Sequence, residues 1–204
     1  MTETAEVATP VGPARVHLHP AASPVATLVL GHGAGGGIAA PDLAAVTDAA
    51  QRLGLAVRRI EQPYRVAGRR SAAPAGQLDE AWQAVVAALT AAMPGLPLLV
   101  GGRSSGARVA CRTAAGTGAI GVLCLAFQVH PPGRPDRSRL PELDAVAVPV
   151  LVVQGDRDPF GLPPAHPGRT VVVIPGADHA LRRDLATVRG AVSEWLRAIG
   201  VTGG

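Results

Sequence analysis

Leu98-Leu99-Val100-Gly101-Gly102-Arg103-Ser104-Ser105-Gly106-Ala107-Arg108-Val109-Ala110 decides the fold. An apolar run stops at two glycines, a serine follows, and small residues continue at helical spacing. Gly102-Arg103-Ser104-Ser105-Gly106 fits G-x-S-x-G, the pattern of a strand-to-helix turn that presents a serine as nucleophile. Side chains two residues either side of that serine would collide, and glycine removes them. The pattern therefore predicts Ser104 exposed at the carboxyl end of a strand. It also sits at the amino end of a helix, whose dipole favours negative charge.

Working outward, 204 residues suffice for one domain with a substantial core and fall short of two. Hydrophobic residues at 48% against charged ones at 17% mark a globular chain. All 19 basic residues are arginine, and the absence of lysine titration contributes to a sequence pI near 10.3. With no basic cluster and five aromatic residues, the composition predicts no nucleic-acid partner. No apolar stretch approaches membrane-spanning length, and residues 1–13 lack the regions of a signal peptide. A cytoplasmic protein without a membrane partner is the expectation, and nothing in the pattern assigns an oligomeric state. Cys111 and Cys124 lack metal-ligand spacing and read as small buried hydrophobes.

In chain order, residues 1–13 read as a disordered tail and 14–200 as a single domain. Ala14–His19 alternates polar and apolar residues, the pattern of an edge strand with one wet face. Pro24–Leu30 is an apolar run suited to a strand buried on both faces, and it empties into Gly31-His32-Gly33-Ala34-Gly35-Gly36-Gly37. A helix opens at Pro41, and strand Leu55–Ile60 follows. A long loop spans residues 61–76 before an amphipathic helix bearing Leu78, Trp82, Val85, Val86 and Leu89. After strand Pro97–Gly101 and its helix come strand Ile120–Ala126, a loop over 127–144, and strands Val148–Gln154 and Thr170–Ile174. The last helix carries Leu185, Val188, Val192, Trp195, Leu196 and Ile199. This alternation predicts an α/β, doubly wound, mostly parallel sheet of about seven strands. Ligands in such sheets bind outside the carboxyl ends of the strands.

A serine hydroxyl needs a base to take its proton. Of six histidines, His179 lies in the loop after the last strand and follows the candidate acids, as the order Ser, Asp, His requires. The acid should end the preceding strand, where Gln154-Gly155-Asp156-Arg157-Asp158-Pro159 offers two aspartates. Asp158 is the choice, and Asp156 reads as a turn former. Backbone N–H groups of Ser105 and Ala34 are the candidates for an oxyanion hole, with Gly33 and Gly35 as neighbours. A rival reading takes Gly31, Gly33 and Gly36 as a dinucleotide fingerprint with Glu61 after the next strand. That reading leaves Ser104, Asp158 and His179 without a role.

The chain resembles the small α/β hydrolases related to dienelactone hydrolase and to the testis-expressed protein 30 group. The resemblance rests on Gly31-His32-Gly33-Ala34-Gly35, Gln62-Pro63-Tyr64, Gly68-Arg69-Arg70, Gly101-Gly102-Arg103-Ser104, His130-Pro131-Pro132-Gly133, Gly155–Gly161 and Asp178-His179. Ser105 and Ala107 stand where that group usually shows Met and Gly. The resemblance implies a Ser104/Asp158/His179 triad acting on a small ester without cofactor or metal, and no separate cap domain. His32, Gly33, Gly35, Tyr64, Arg69, Arg70, Arg103 and His130 are the candidate substrate-facing residues. Loops 61–76 and 127–144 would then roof the pocket, and at least one of Arg65, Arg69 and Arg70 would favour anionic acyl groups. The wider group includes a subunit of a histone acetyltransferase complex. An inactive interaction protein of the same fold is therefore the alternative.

Overall fold

The computed structural model describes residues 3–203. Eight strands form one sheet: Glu3–Val7 (β1), Ala14–His19 (β2), Ala26–Gly31 (β3), Leu55–Glu61 (β4), Leu98–Arg103 (β5), Gly121–Leu125 (β6), Val150–Gly155 (β7) and Arg169–Ile174 (β8). Their spatial order is β1-β2-β4-β3-β5-β6-β7-β8. From β4 to β8 every neighbouring pair is parallel, while β2 runs antiparallel to both β1 and β4. The serine-bearing strand β5 is thus central, as its wholly apolar Leu98-Leu99-Val100 requires.

Two expectations are corrected at the amino end, the disordered tail and the edge position of Ala14–His19. Residues 3–7 belong to a strand rather than a disordered tail, with Ala5 opposite Val16; residues 1 and 2 lie outside the described residues. Glu3-Thr4-Ala5-Glu6-Val7 carries little apolar signal because it is exposed, and its order comes from backbone pairing to β2. In consequence β2 is an internal strand, and the sheet has eight strands where about seven were expected.

Pro41–Arg52 (α1) and Leu185–Ala198 (α6) cover one face of the sheet. Ala75–Ala92 (α3) and Ser105–Thr117 (α4) cover the other. The two long loops each contain a short helix, Pro63–Val66 (α2) and Leu140–Asp144 (α5). Alternation along each buried strand sorts the core. Val100 and Val122 face the α3/α4 side with Trp82, while Leu99 and Leu123 face the α1/α6 side with Trp195. Cys111 and Cys124 are free and buried, with their sulfurs 3.5 Å apart.

Candidate active site

Ser104 occupies the step from β5 to α4 with φ 57° and ψ −111°, a left-handed backbone that a non-glycine residue adopts only when its surroundings enforce it. The enforcement is visible at the two glycines. A Cβ on Gly102 would stand 2.5 Å from the Gly31 carbonyl oxygen and 2.8 Å from the Gly106 carbonyl carbon. One on Gly106 would stand 2.5 Å from Gly31 and 2.9 Å from the His32 oxygen. The glycines let the turn close on itself, and equally let it lie against the end of β3. The Ser104 N–H donates to the Leu125 carbonyl over 2.8 Å, which pins the turn to β6.

His179 Nε2 lies 2.9 Å from Ser104 Oγ, and His179 Nδ1 lies 2.8 Å from Asp158 Oδ2. The Asp158 side chain is fully buried and the imidazole keeps one edge in solvent, while Ser104 is buried rather than exposed as expected, because the glycine loop and the His179 ring lie against it. Asp158 also accepts from Gln154 Nε2 at 2.8 Å and, through its other oxygen, from the Phe160 N–H at 2.9 Å. Hydrogen bonds on both oxygens hold the carboxylate still. Asp156, by contrast, is exposed and accepts from the Gly176 N–H at 2.7 Å. It ties the turn after β7 to the turn after β8. The structure therefore joins Ser104, His179 and Asp158, and gives Asp156 a bracing part.

Ser105 takes the first position of α4, where an N–H has no acceptor within the helix. Ala34 lines the cleft above Ser104, and its N–H donates to no backbone carbonyl among the described residues. A Cβ on Gly33 would lie 3.4 Å from the Ser104 Cβ. The glycine loop is held from behind by two side chains. Tyr64 donates its hydroxyl to the Ala34 carbonyl over 3.1 Å. His32 places Nδ1 2.9 Å from the Gly33 carbonyl and accepts the Gln62 N–H on Nε2 at 3.1 Å. Those partners require the tautomer with the proton on Nδ1. Burial holds the ring below the usual histidine range, partly offset by the Gly33 bond, so it stays neutral. His32 and Tyr64 thus shape the loop from beneath and do not line the cleft.

The cleft measures about 600 Å³. Ala34, Gly35, Gly36, Gly37, Ala39 and Ala40 line it from the glycine loop, together with Phe160, Ala180, Arg182 and Gln128 from the loops after β7, β8 and β6. Loop 61–76 contributes no lining residue, and loop 127–144 contributes Gln128 alone, so the expected roof is corrected. Arg69 and Arg70 are exposed outside the lining, and Arg65 lies outside it too. Arg69 and Arg70 come after the end of α2, the short helix that carries Arg65 and places Tyr64 against the glycine loop. His130 is also outside; its Nε2 packs where a Cβ on Gly161 would come within 2.7 Å, bracing the acid-bearing turn. Arg103 does line the cleft, with its guanidinium Nε 2.9 Å from Asp42 in α1.

Phe160, Gln154, Asp42 and Arg182 are site residues that sequence reasoning did not single out. Phe160 stacks on His179 with ring centroids 4.2 Å apart. It lies in the stretch Gly155–Gly161, two residues after the acid, and that adjacency was the available signal. Glu61 pairs with Arg15 at 3.2 Å, so its carboxylate is engaged within the β2–β4 pair.

Residues 24–198 match the family model of the alpha/beta hydrolase domain. The chain is an α/β hydrolase. The hydrolase superimposes on an α/β serine hydrolase without lid from Xanthomonas campestris with a TM-score of 0.81 at 25% identity, over 97% of this chain and 94% of that one. It likewise matches dienelactone hydrolase from Anabaena variabilis (TM-score 0.77, 20% identity, 97% of each chain). The esterase domain of a Rhodothermus marinus protein gives 0.71 at 17% identity, over 98% and 100% of the two chains. The latter two likenesses concern the fold. No curated protein matches the sequence. The described residues form no separate cap domain, in keeping with the Xanthomonas protein without lid, and the cleft opens directly to solvent. Among the described residues, no helix is long and apolar enough to cross a membrane.

Proposed function

We propose that this hydrolase is a serine esterase that cleaves small esters through an acyl-enzyme. The observation that carries the reading is the continuous hydrogen-bonded line from Ser104 Oγ through the His179 ring to Asp158. In this scheme Asp158 holds His179 with its proton on Nδ1, leaving Nε2 free to take the Ser104 proton. Oγ attacks the ester carbonyl carbon, and the carbonyl oxygen becomes an oxyanion held by the Ala34 and Ser105 N–H groups. Collapse breaks the bond to the alcohol oxygen, which leaves with the proton from His179. Water then attacks the acyl-Ser104, giving its proton to His179, and the acid departs as Oγ recovers that proton. No step requires a cofactor.

A cleft of about 600 Å³ with an open mouth admits short, compact acyl groups. The esterase and dienelactone hydrolase among the structural relatives act on bonds of this kind by name, which agrees with the proposal. Hydrolysis of p-nitrophenyl acetate, butyrate and decanoate by wild type and Ser104→Ala tests it. The reading expects turnover of the two shorter esters by wild type and its loss in Ser104→Ala at unchanged circular dichroism. Equal rates for the two proteins, or none for either, would favour the alternative of an inactive interaction protein.

A further inference from the structure

Arg103 precedes Ser104 in the chain, and its side chain reaches three separate segments. Nη2 donates to the His179 carbonyl oxygen over 2.9 Å, across 76 positions of sequence. Nε lies 2.9 Å from Oδ2 of Asp42, whose side chain is wholly buried in the first turn of α1. Nη1 rests against the glycine loop, where a Cβ on Gly33 would come within 2.8 Å of it. The guanidinium side chain is itself only 15% exposed. Burial pushes the Asp42 carboxyl above its usual range, while Arg103 and the Leu43 N–H pull it back.

We infer that Arg103 is a positioning residue: its guanidinium fork locks the backbone of the His179 loop to the nucleophile turn, and Asp42 locks the fork. This rests on the esterase reading above. The two ring nitrogens of His179 fix the imidazole only if the backbone that carries it is itself fixed. The loop from Gly176 to Arg183 has no regular structure, and Leu181 within it has a positive φ. Asp178 braces it locally through the Ala180 N–H, but Arg103 ties it to the strand end that carries Ser104. The geometry also explains the residue type. Nη2 donates to the His179 carbonyl while Nε stands beside the Asp42 carboxylate as an ion pair, and meeting groups in two directions suits a planar guanidinium rather than the point charge of lysine. Arg103 lines the cleft, but Asp42 pairs with its charge and the His179 carbonyl takes one of its N–H donors.

The test compares wild type with Arg103→Lys, and with the paired variant Arg103→Met/Asp42→Asn, which leaves no buried charge alone. Each is titrated with a fluorophosphonate probe, reading end-point stoichiometry and rate constant separately, together with kcat and KM on p-nitrophenyl acetate. Displacement of a reacting group by about 1 Å costs on the order of 100-fold. Both variants should label to full stoichiometry with rate constants and kcat lowered about 10- to 100-fold, and KM within about twofold of wild type. Arg103→Lys keeps a cation beside Asp42 and provides the readout if the paired variant does not fold. A wild-type rate per titrated site in Arg103→Lys overturns the inference, even if fewer sites titrate, because that is the signature of a structural role. A wild type that does not label at all overturns the esterase reading along with it.

Discussion

The Tyr64 hydroxyl donates to the Ala34 carbonyl oxygen over 3.1 Å, from beneath the loop that frames the cleft. Tyr64 lies in α2, and Pro63 at the first helical position sets its direction. One buried aromatic ring thereby connects the turn after β4 to the loop after β3. Tyr64→Phe keeps the ring and removes only the donor, a change worth about 0.5–1.5 kcal/mol. If Ala34 supplies an oxyanion N–H, kcat should fall about two- to ten-fold with KM little changed. Steady-state kinetics on p-nitrophenyl acetate, beside a thermal melt, separate this from a general loss of stability.

The two aspartates after β7 give a sharper contrast. Asp158→Asn would replace an acceptor with an amide beside His179 Nδ1 and favour the wrong tautomer. Turnover should fall on the order of 10⁴-fold, as in other triads. Asp156→Asn keeps an oxygen for the Gly176 N–H and should retain most activity. Comparable losses in kcat for both variants would mean that the turn, and not the carboxylate, is the sensitive element.

Charge preference should be small and should follow Arg182. The guanidiniums at the cleft are those of Arg103, paired with Asp42, and Arg182, exposed at the rim. An exposed ion pair contributes about 0.2–1 kcal/mol, or roughly 1.5- to 5-fold in kcat/KM. A monoethyl succinate ester compared with its neutral analogue should show that preference at low salt and lose it in 0.5 M salt, about a 4–5 Å Debye length. Arg182→Ala should abolish it, while Arg65→Ala, Arg69→Ala and Arg70→Ala should leave it in place.

Stability should fall on acidification below the ordinary histidine range. Burial, with Arg59 next in weight, pushes His19 down to about 4 from 6.5. The unfolded chain therefore binds the proton first as pH drops. The stabilising difference is complete above about 6.5 and is lost as pH falls from there toward 4. His19 Nε2 accepts from Arg59 Nε at 2.9 Å, a bond that a glutamine oxygen can replace without titrating. Urea midpoints measured at pH 7.5 and pH 5 should drop less in His19→Gln than in wild type.

The parts of this architecture legible in the sequence are those whose signal is local. Gly102 and Gly106 mark the turn because the close approach to Gly31 admits no side chain. His179 was legible because it follows the last strand, and Asp158 because a Gly-x-x-Asp step ends the strand before. β1 was not, since Glu3-Thr4-Ala5-Glu6-Val7 is exposed and owes its order to pairing with β2. Asp42 was hidden for another reason. In a helix read by its apolar face, an acidic residue in the first turn looks like a solvated complement to the dipole. Its partner is 61 positions away, and only the sheet order brings α1 to the end of β5. Arg69 and Arg70 follow the carboxyl end of β4 in the chain yet lie outside the cleft lining, since α2 intervenes and nearness in sequence does not fix where a side chain points.

In the proposed mechanism Ser104, and not its neighbour Ser105, is the nucleophile. Intact-mass analysis after fluorophosphonate treatment, followed by peptide mapping, tests this most directly. The account predicts one adduct per chain on Ser104, undiminished site occupancy in Ser105→Ala and no adduct in Ser104→Ala. An adduct on Ser105, or labelling that persists in Ser104→Ala, would contradict it.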